Sequence, residues 1–200
     1  MRVTSIHSAI ALWVFVCSSS FTLAQTALPP GAVSLINQDR HGSRVALCAA
    51  TGEPVIQKGP KKIRGTAVWV GEGANLRRVR AGLGACDPAW SPDGRRLAVT
   101  ADEGLWVFPA NAAEGDLRVE SRLPLGSTES NYRAFSSPRW SPDGVLVGLI
   151  VSNTGTSWVE VFEASSGRLF YTSPPENYTF SWNSARDLQL GNTEIHLPRR

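Results

Sequence analysis

The chain has 200 residues, 42% hydrophobic and only 18% charged, with a formal net charge of +3. That balance excludes a disordered polyelectrolyte, and charge this sparse excludes a long-helix protein. Eighteen Gly, 13 Pro and 7 Trp beside a single Met point to an all-β chain of short strands, one domain or at most two small ones.

In chain order, residues 1–24 read as a secretory signal peptide. Arg2 supplies a positive start, Ala9–Cys17 is an unbroken apolar run, and Thr22-Leu23-Ala24 offers small residues for cleavage. The run is far shorter than the roughly 20 residues a spanning helix needs, which disfavours an uncleaved anchor. A lipoprotein signal at Cys17 is disfavoured too, because Val14-Phe15-Val16 precede it where a small residue is wanted. Cleavage leaves a periplasmic or secreted chain without a transmembrane segment. Residues 25–31 are a linker. The remaining cysteines, Cys48 and Cys86, then form one disulfide or stay as two buried thiols.

Strands are predicted at Thr66–Gly71, Leu76–Arg80, Leu97–Val99, Gly104–Phe108, Leu117–Leu123, Val145–Val151, Ser157–Phe162, Arg168–Thr172 and Thr193–Leu197. Gly, Asn, Pro and Ser clusters separate them, and no stretch carries a 3.6-residue apolar period. A repeat organises these strands. Residues 88–94 and 138–144 share P-x-W-S-P-D-G, with Trp90 and Trp140 50 residues apart. Phe180-Ser181-Trp182 is a weaker copy, and His41–Cys48 is a degenerate first one aligned with Asp93–Thr100. In Trp90-Ser91-Pro92-Asp93-Gly94 and Trp140-Ser141-Pro142-Asp143-Gly144, Pro presets φ at the second turn position. Asp suits the third position, and Gly closes a type I turn. Trp90, Trp140 and Trp182 are expected to pack between neighbouring sheets.

Strands in fours, recurring every 40–50 residues, predict an array of antiparallel blades. The W-S-P-D-G-x-x-L-A-V run resembles the WD40-like (PD40) repeat of TolB-type β-propellers, and related copies occur in the propellers of prolyl-oligopeptidase-like proteins. The resemblance spans roughly Ala32–Leu197 and implies a six-bladed ring, whereas the mature chain offers three blades and a remnant. These are 32–83, 84–134, 135–178 and a two-stranded 179–200. Either Ala32–Asn37 closes the remnant like a clasp, or the array is an incomplete, open arc, which is the expectation adopted.

Chemistry is thin. There is no G-x-S-x-G, and His41 and His196 are the only mature imidazoles. The cysteines lack C-x-x-C spacing, no phosphate-cradling loop opens a helix, and Asp93 and Asp143 are explained by their turns. An oligopeptidase-like propeller works beside a separate hydrolase domain, for which the chain is too short. No catalytic residue, metal or cofactor is therefore expected. Charge is polarised, +6 over residues 58–96 and −4 over 97–200. This suits an acidic partner, or the basic end of one copy meeting the acidic end of another. Aromatic–basic interleaving is absent, so nucleic acid is not expected. Asn177-Tyr178-Thr179 is a glycosylation sequon in a eukaryotic host.

The sequence thus predicts a non-enzymatic exported TolB-like module that binds a protein or peptide, or an envelope scaffold, with self-association through an open blade edge. Its binding loops are expected at Asp102–Gly104, Ser127–Arg133 and Asn153–Thr156. The alternatives are a propeller that binds or hydrolyses a carbohydrate or other small ligand at its central channel, and a degenerate fragment.

Overall fold

Turn chemistry sets the strand directions. In the computed structural model, Gly94 N–H donates to Ser91 O at 2.8 Å and Gly144 N–H to Ser141 O at 2.8 Å, closing both Ser-Pro-Asp-Gly turns. The Ser91 hydroxyl donates to Asp93 Oδ1 at 2.6 Å and accepts from Arg96 N–H at 2.9 Å. Ser141 repeats this with Asp143 and Leu146 N–H at 2.6 and 2.9 Å. Both serines are fully buried, so these bonds satisfy hydroxyls that water cannot reach. Ser91 and the Arg95 N–H hold the Asp93 carboxyl below its ordinary range.

The structure describes residues 28–58, 61–82, 84–102, 104–111, 117–119, 133–153, 155–176 and 179–198. Among these there is no helix, and therefore none long and apolar enough to cross a membrane. The expected signal peptide, the far end of the Leu117–Leu123 strand, residues 127–132 and the Asn177 sequon position lie outside them.

Among the described residues, seventeen strands follow in order. The first blade is β1 (Ser34–His41), β2 (Arg44–Ala50), β5 (Thr66–Glu72) and β6 (Asn75–Arg78). A separate hairpin, β3 (Ile56–Lys58) and β4 (Lys61–Ile63), is inserted between β2 and β5. The second blade is β7 (Cys86–Trp90), β8 (Arg96–Ala101), β9 (Gly104–Pro109) and β10 (Leu117–Val119). The third is β11 (Ala134–Trp140), β12 (Leu146–Ser152), β13 (Ser157–Glu163) and β14 (Leu169–Thr172). A last sheet holds β15 (Phe180–Trp182), β16 (Asp187–Leu190) and β17 (Thr193–His196), one strand more than the remnant was expected to keep. Every pairing within the sheets is antiparallel.

Central strands of the second and third blades are apolar on both faces because neighbouring sheets cover both. On β2, Ala46 and Cys48 face the second blade while Leu47 and Ala49 face away, following the period-2 alternation. Three cores fill the spaces between sheets. Trp90 packs with Val68, Val70 and Phe108 between the first and second blades. Trp140 packs with Val107, Leu149 and Trp158 between the second and third. Phe180, Leu188 and Leu190 pack on Val159 and Val161 of the third blade, with Trp182 half-buried beside them. The last sheet approaches so closely that a Cβ on Gly148 would lie 2.7 Å from the Phe180 ring.

Latches cross each junction. Trp140 Nε1 donates back to Ala89 O at 2.8 Å and Trp182 Nε1 to Arg139 O at 3.1 Å. Arg44 reaches forward to Gly94 O at 2.8 Å and Arg96 to Gly144 O at 2.5 Å, its guanidinium 4.8 Å from the Trp140 ring centroid. Cys48 on β2 and Cys86 on β7 form a disulfide between the first two blades, with Cα atoms 5.1 Å apart.

β1 pairs with β2 of its own sheet, and no described strand links it to the last sheet. The Ala32–Asn37 clasp is therefore not formed. Among the described residues, the array is an open, propeller-like arc of three four-stranded blades and one three-stranded sheet.

Candidate functional site on the inner strands

The first strand of each blade lies on one side of the stack, β1 against β7 and β7 against β11. Each of these inner strands is interrupted at the same repeat position. Register shifts fall between Leu35 and Asn37, between Cys86 and Pro88, and between Ser136 and Arg139. Such bulges re-aim side chains and leave backbone groups without ladder partners. Asp87 and Ser137, 50 residues apart, adopt positive φ of 46° and 54°. These are uncommon conformations for residues with a Cβ, tolerated best by Asn and Asp.

Carboxylates bridge the inner strands at these points. Asp87 Oδ1 accepts from the Asn37 amide at 3.1 Å and Oδ2 from Ser137 N–H at 3.3 Å, so one side chain spans three blades. One turn of the repeat away, Asp39 Oδ2 accepts from Trp90 N–H at 2.7 Å. A bulged backbone N–H facing the inner wall would otherwise rely on solvent.

Asp87 also borders a cleft of about 440 Å³. Its wall includes exposed Ile36, half-buried Phe135, Arg64 on the segment leading into β5, and Asp102 on the β8–β9 turn. The cleft opens at the blade ends opposite the Ser-Pro-Asp-Gly turns. It therefore pairs apolar surface with one cation and two carboxylates, a lining suited to a ligand carrying both characters, such as a peptide. Of two smaller hollows nearby, one is lined by Arg64 and Arg78 and the other by Arg78 and Arg80. Of the expected binding loops, Asp102–Gly104 contributes Asp102 to this cleft. Asn153 of Asn153–Thr156 is buried, and of Ser127–Arg133 only Arg133 lies among the described residues.

Elsewhere the chemistry is limited. His41 ends β1 and its ring lies against Gly94, where the alignment with Asp93 had suggested a turn position. His196 Nδ1 bonds Asp187 Oδ1 at 2.6 Å, and Ser184 Oγ donates to the other oxygen of Asp187 at 2.5 Å. Ser184 first, then His196, holds the Asp187 carboxyl below its usual range. Because the carboxylate sits in the middle, the imidazole does not touch the hydroxyl and cannot take its proton as a triad base would. Among the described residues, no three His, Cys, Asp or Glu side chains gather as a metal site.

Sequence reasoning overlooked Asn37, Arg64 and Asp87. The 50-residue spacing of Asn37, Asp87 and Ser137 was the available signal, hidden because the three residues differ in type.

No family model matches the chain. It is 30% identical over 91 residues to the uncharacterized peptidase YuxL of Bacillus subtilis (strain 168), covering 42% of this chain and 13% of that protein. Its fold is similar to that of an acylaminoacyl peptidase of Pyrococcus horikoshii, with a TM-score of 0.56 at 11% identity over 78% of this chain and 27% of that one. The β-propeller domain of the Trilobed protease from Pyrococcus furiosus, which has an open velcro topology, gives 0.51 at 16% identity, covering 78% of this chain and 47% of that one. The chain thus spans less than half the length of each of these proteins, and the two structures establish the fold: a β-propeller-like array whose neighbours are peptidase propellers. The expectation of a non-enzymatic binding or scaffold protein is corrected by these relatives, which are peptidases by name. The absence of a nucleophile motif had carried that expectation, and it describes the repeats rather than the proteins in which such repeats occur.

Proposed function

We propose that this chain serves peptide hydrolysis as the propeller of a peptidase-type protein, receiving peptide in the inner-strand cleft. The observation that carries the reading is the cleft itself, where Arg64, Asp87 and Asp102 share a wall with Ile36 and Phe135. Bound there, a peptide would place apolar side chains on Ile36 and Phe135, and its charged groups would meet side chains of opposite sign. The role assigned to the described residues is to take up and orient the peptide for that hydrolysis. Likeness to peptidase propellers and to YuxL supports this reading over a carbohydrate ligand.

The test is a titration of the isotopically labelled mature chain with short peptides, followed by NMR, alongside a turnover assay on chromogenic peptide anilides. Saturable shifts at Arg64, Asp102 and Phe135, weakened by Arg64→Gln or Asp102→Asn, are the expected result. A folded protein whose spectrum ignores peptides at millimolar concentration would sink the reading.

The repeat is read as the PD40 type, on the strength of Trp90–Gly94 and Trp140–Gly144. Export after cleavage at Ala24 is read from the first 24 residues, and N-terminal sequencing of the protein recovered outside the cytoplasm tests it.

A further inference from the structure

We propose that a carboxylate of the bound peptide is received by Arg80 in the outer of the two smaller hollows, with Arg64 at the passage from the cleft; this rests on peptide uptake by the cleft. Shared walls join the three spaces into one trough. The middle hollow, about 100 Å³, shares Ile63, Arg64 and Gly84 with the cleft. It shares Arg78, Ala81 and Gly82 with the outer hollow of about 380 Å³. Charge changes sign along the trough. Asp87 and Asp102 line the cleft, Arg64 borders both the cleft and the middle hollow, and Arg80 lines the outer one.

Uncompensated charge selects the anion. Among the described residues, the outer hollow is lined by two arginines and no carboxylate. Arg78 is already engaged, bonding Glu53 Oε1 at 3.1 Å with its guanidinium 5.9 Å from the Trp69 ring centroid. Arg64 and Arg80 are exposed, and no described group forms a hydrogen bond or ion pair with either guanidinium. Such a guanidinium in a concave wall attracts anions, and its planar fork matches the two oxygens of a carboxylate. A peptide lying on Ile36 and Phe135 brings that group, at its C-terminus or on an Asp or Glu side chain. Asp87 and Asp102 repel a carboxylate at the cleft end, whereas Arg64 draws it into the trough. Like charge at one end and opposite charge at the other thus fix the direction in which the peptide lies.

NMR titration of the isotopically labelled mature chain with three N-acetylated tetrapeptides of leucine and alanine tests this. One ends in a free carboxylate, one in an amide, and the third is the amide with glutamate in place of one alanine. At least one of the two carboxylate peptides is expected to bind roughly tenfold tighter than the plain amide, the worth of one charged hydrogen-bonded contact. Tight binding by the free acid assigns the site to a C-terminus, and tight binding by the glutamate amide assigns it to a side chain. Arg80→Gln should bring the favoured peptide down to the level of the plain amide, and rising salt should compress the same difference in the unsubstituted chain. Equal affinity for all three peptides would overturn the carboxylate site and leave peptide uptake standing, as would a preference that survives Arg80→Gln. Failure of every peptide to bind would overturn both.

Discussion

Between the first two blades, a disulfide joins Cys48 to Cys86, Asp39 accepts from Trp90 N–H, Asn37 bonds Asp87, and Arg44 reaches Gly94 O. Between the third blade and the last sheet, Trp182 bonds Arg139 O, Arg139 lies over Phe180 and Arg186 over Phe170, around an apolar core. The outer faces differ as well. The first blade turns Leu47, Ala49, Ala67 and Trp69 away from its neighbour, whereas the last sheet turns out Gln189, Glu194 and the Asp187–His196 pair. One end is cross-linked with an apolar outer face, and the other is lightly tied with a polar one. In a linear stack each sheet depends mainly on its neighbours, so local opening should begin at the lightly tied end.

Removing the covalent tie should make the first junction behave like the last. Cys48→Ser with Cys86→Ser is expected to cost about 4 kcal/mol, from the entropy of a 38-residue separation, read from urea unfolding of the oxidised and double-serine proteins. An unchanged midpoint would show that the polar latches suffice. At the other end, Phe180→Ala should cost about 3 kcal/mol. Hydrogen exchange should then rise in β15–β17 while β8 and β12 stay protected. Uniform loss of protection across all sheets would show that the last junction is no weaker than the others.

Two glycines in equivalent turns sharpen the contrast. Both need positive φ, 65° at Gly94 and 70° at Gly144. A Cβ at Gly94 would collide with the His41 ring, while one at Gly144 meets nothing nearer than 3.7 Å. Gly94→Ala should therefore cost about 2 kcal/mol and Gly144→Ala about 1 kcal/mol, a gap that His41→Ala should narrow in a double-mutant cycle of melting curves. The smallest effect is acid titration. The Asp93 pKa is depressed on folding, mainly by Ser91, so its contribution is full above the unfolded value of about 3.9 and fades as pH falls through the lower folded one. Since Asp93 is exposed, the loss should stay below about 1 kcal/mol. Asp93→Asn should flatten that part of the stability–pH curve.

Much of the array could be read from residues. Thr66–Gly71, Gly104–Phe108 and Ser157–Phe162 are covered on both faces, so their apolar runs announce β5, β9 and β13. β1 escaped notice as a strand because Ser34–His41 is largely exposed and polar, held by pairing with β2 rather than by burial. The β3–β4 hairpin escaped because its strands, Ile-Gln-Lys and Lys-Lys-Ile, are three residues each and carry no apolar run. The site was harder still. Its bulges arise where ladders fall out of step, and positive φ at Asp87 and Ser137 has no glycine to advertise it. Arg64 and Asp102 meet only once the blades are stacked. The latching arginines were half visible, since Arg44 already aligned with Arg96.

The latches between blades have a consequence for ancestry. Trp140, Trp182, Arg44 and Arg96 all donate to main-chain carbonyls, at Ala89, Arg139, Gly94 and Gly144. An acceptor of that kind survives almost any substitution of the residue that carries it. A duplicated 50-residue unit bearing its own Trp and Arg could therefore join an existing neighbour without co-evolved partners, and side chains beside each acceptor were left free to drift. That freedom accounts for repeats whose Trp-Ser-Pro-Asp-Gly cores agree while the positions around them have diverged.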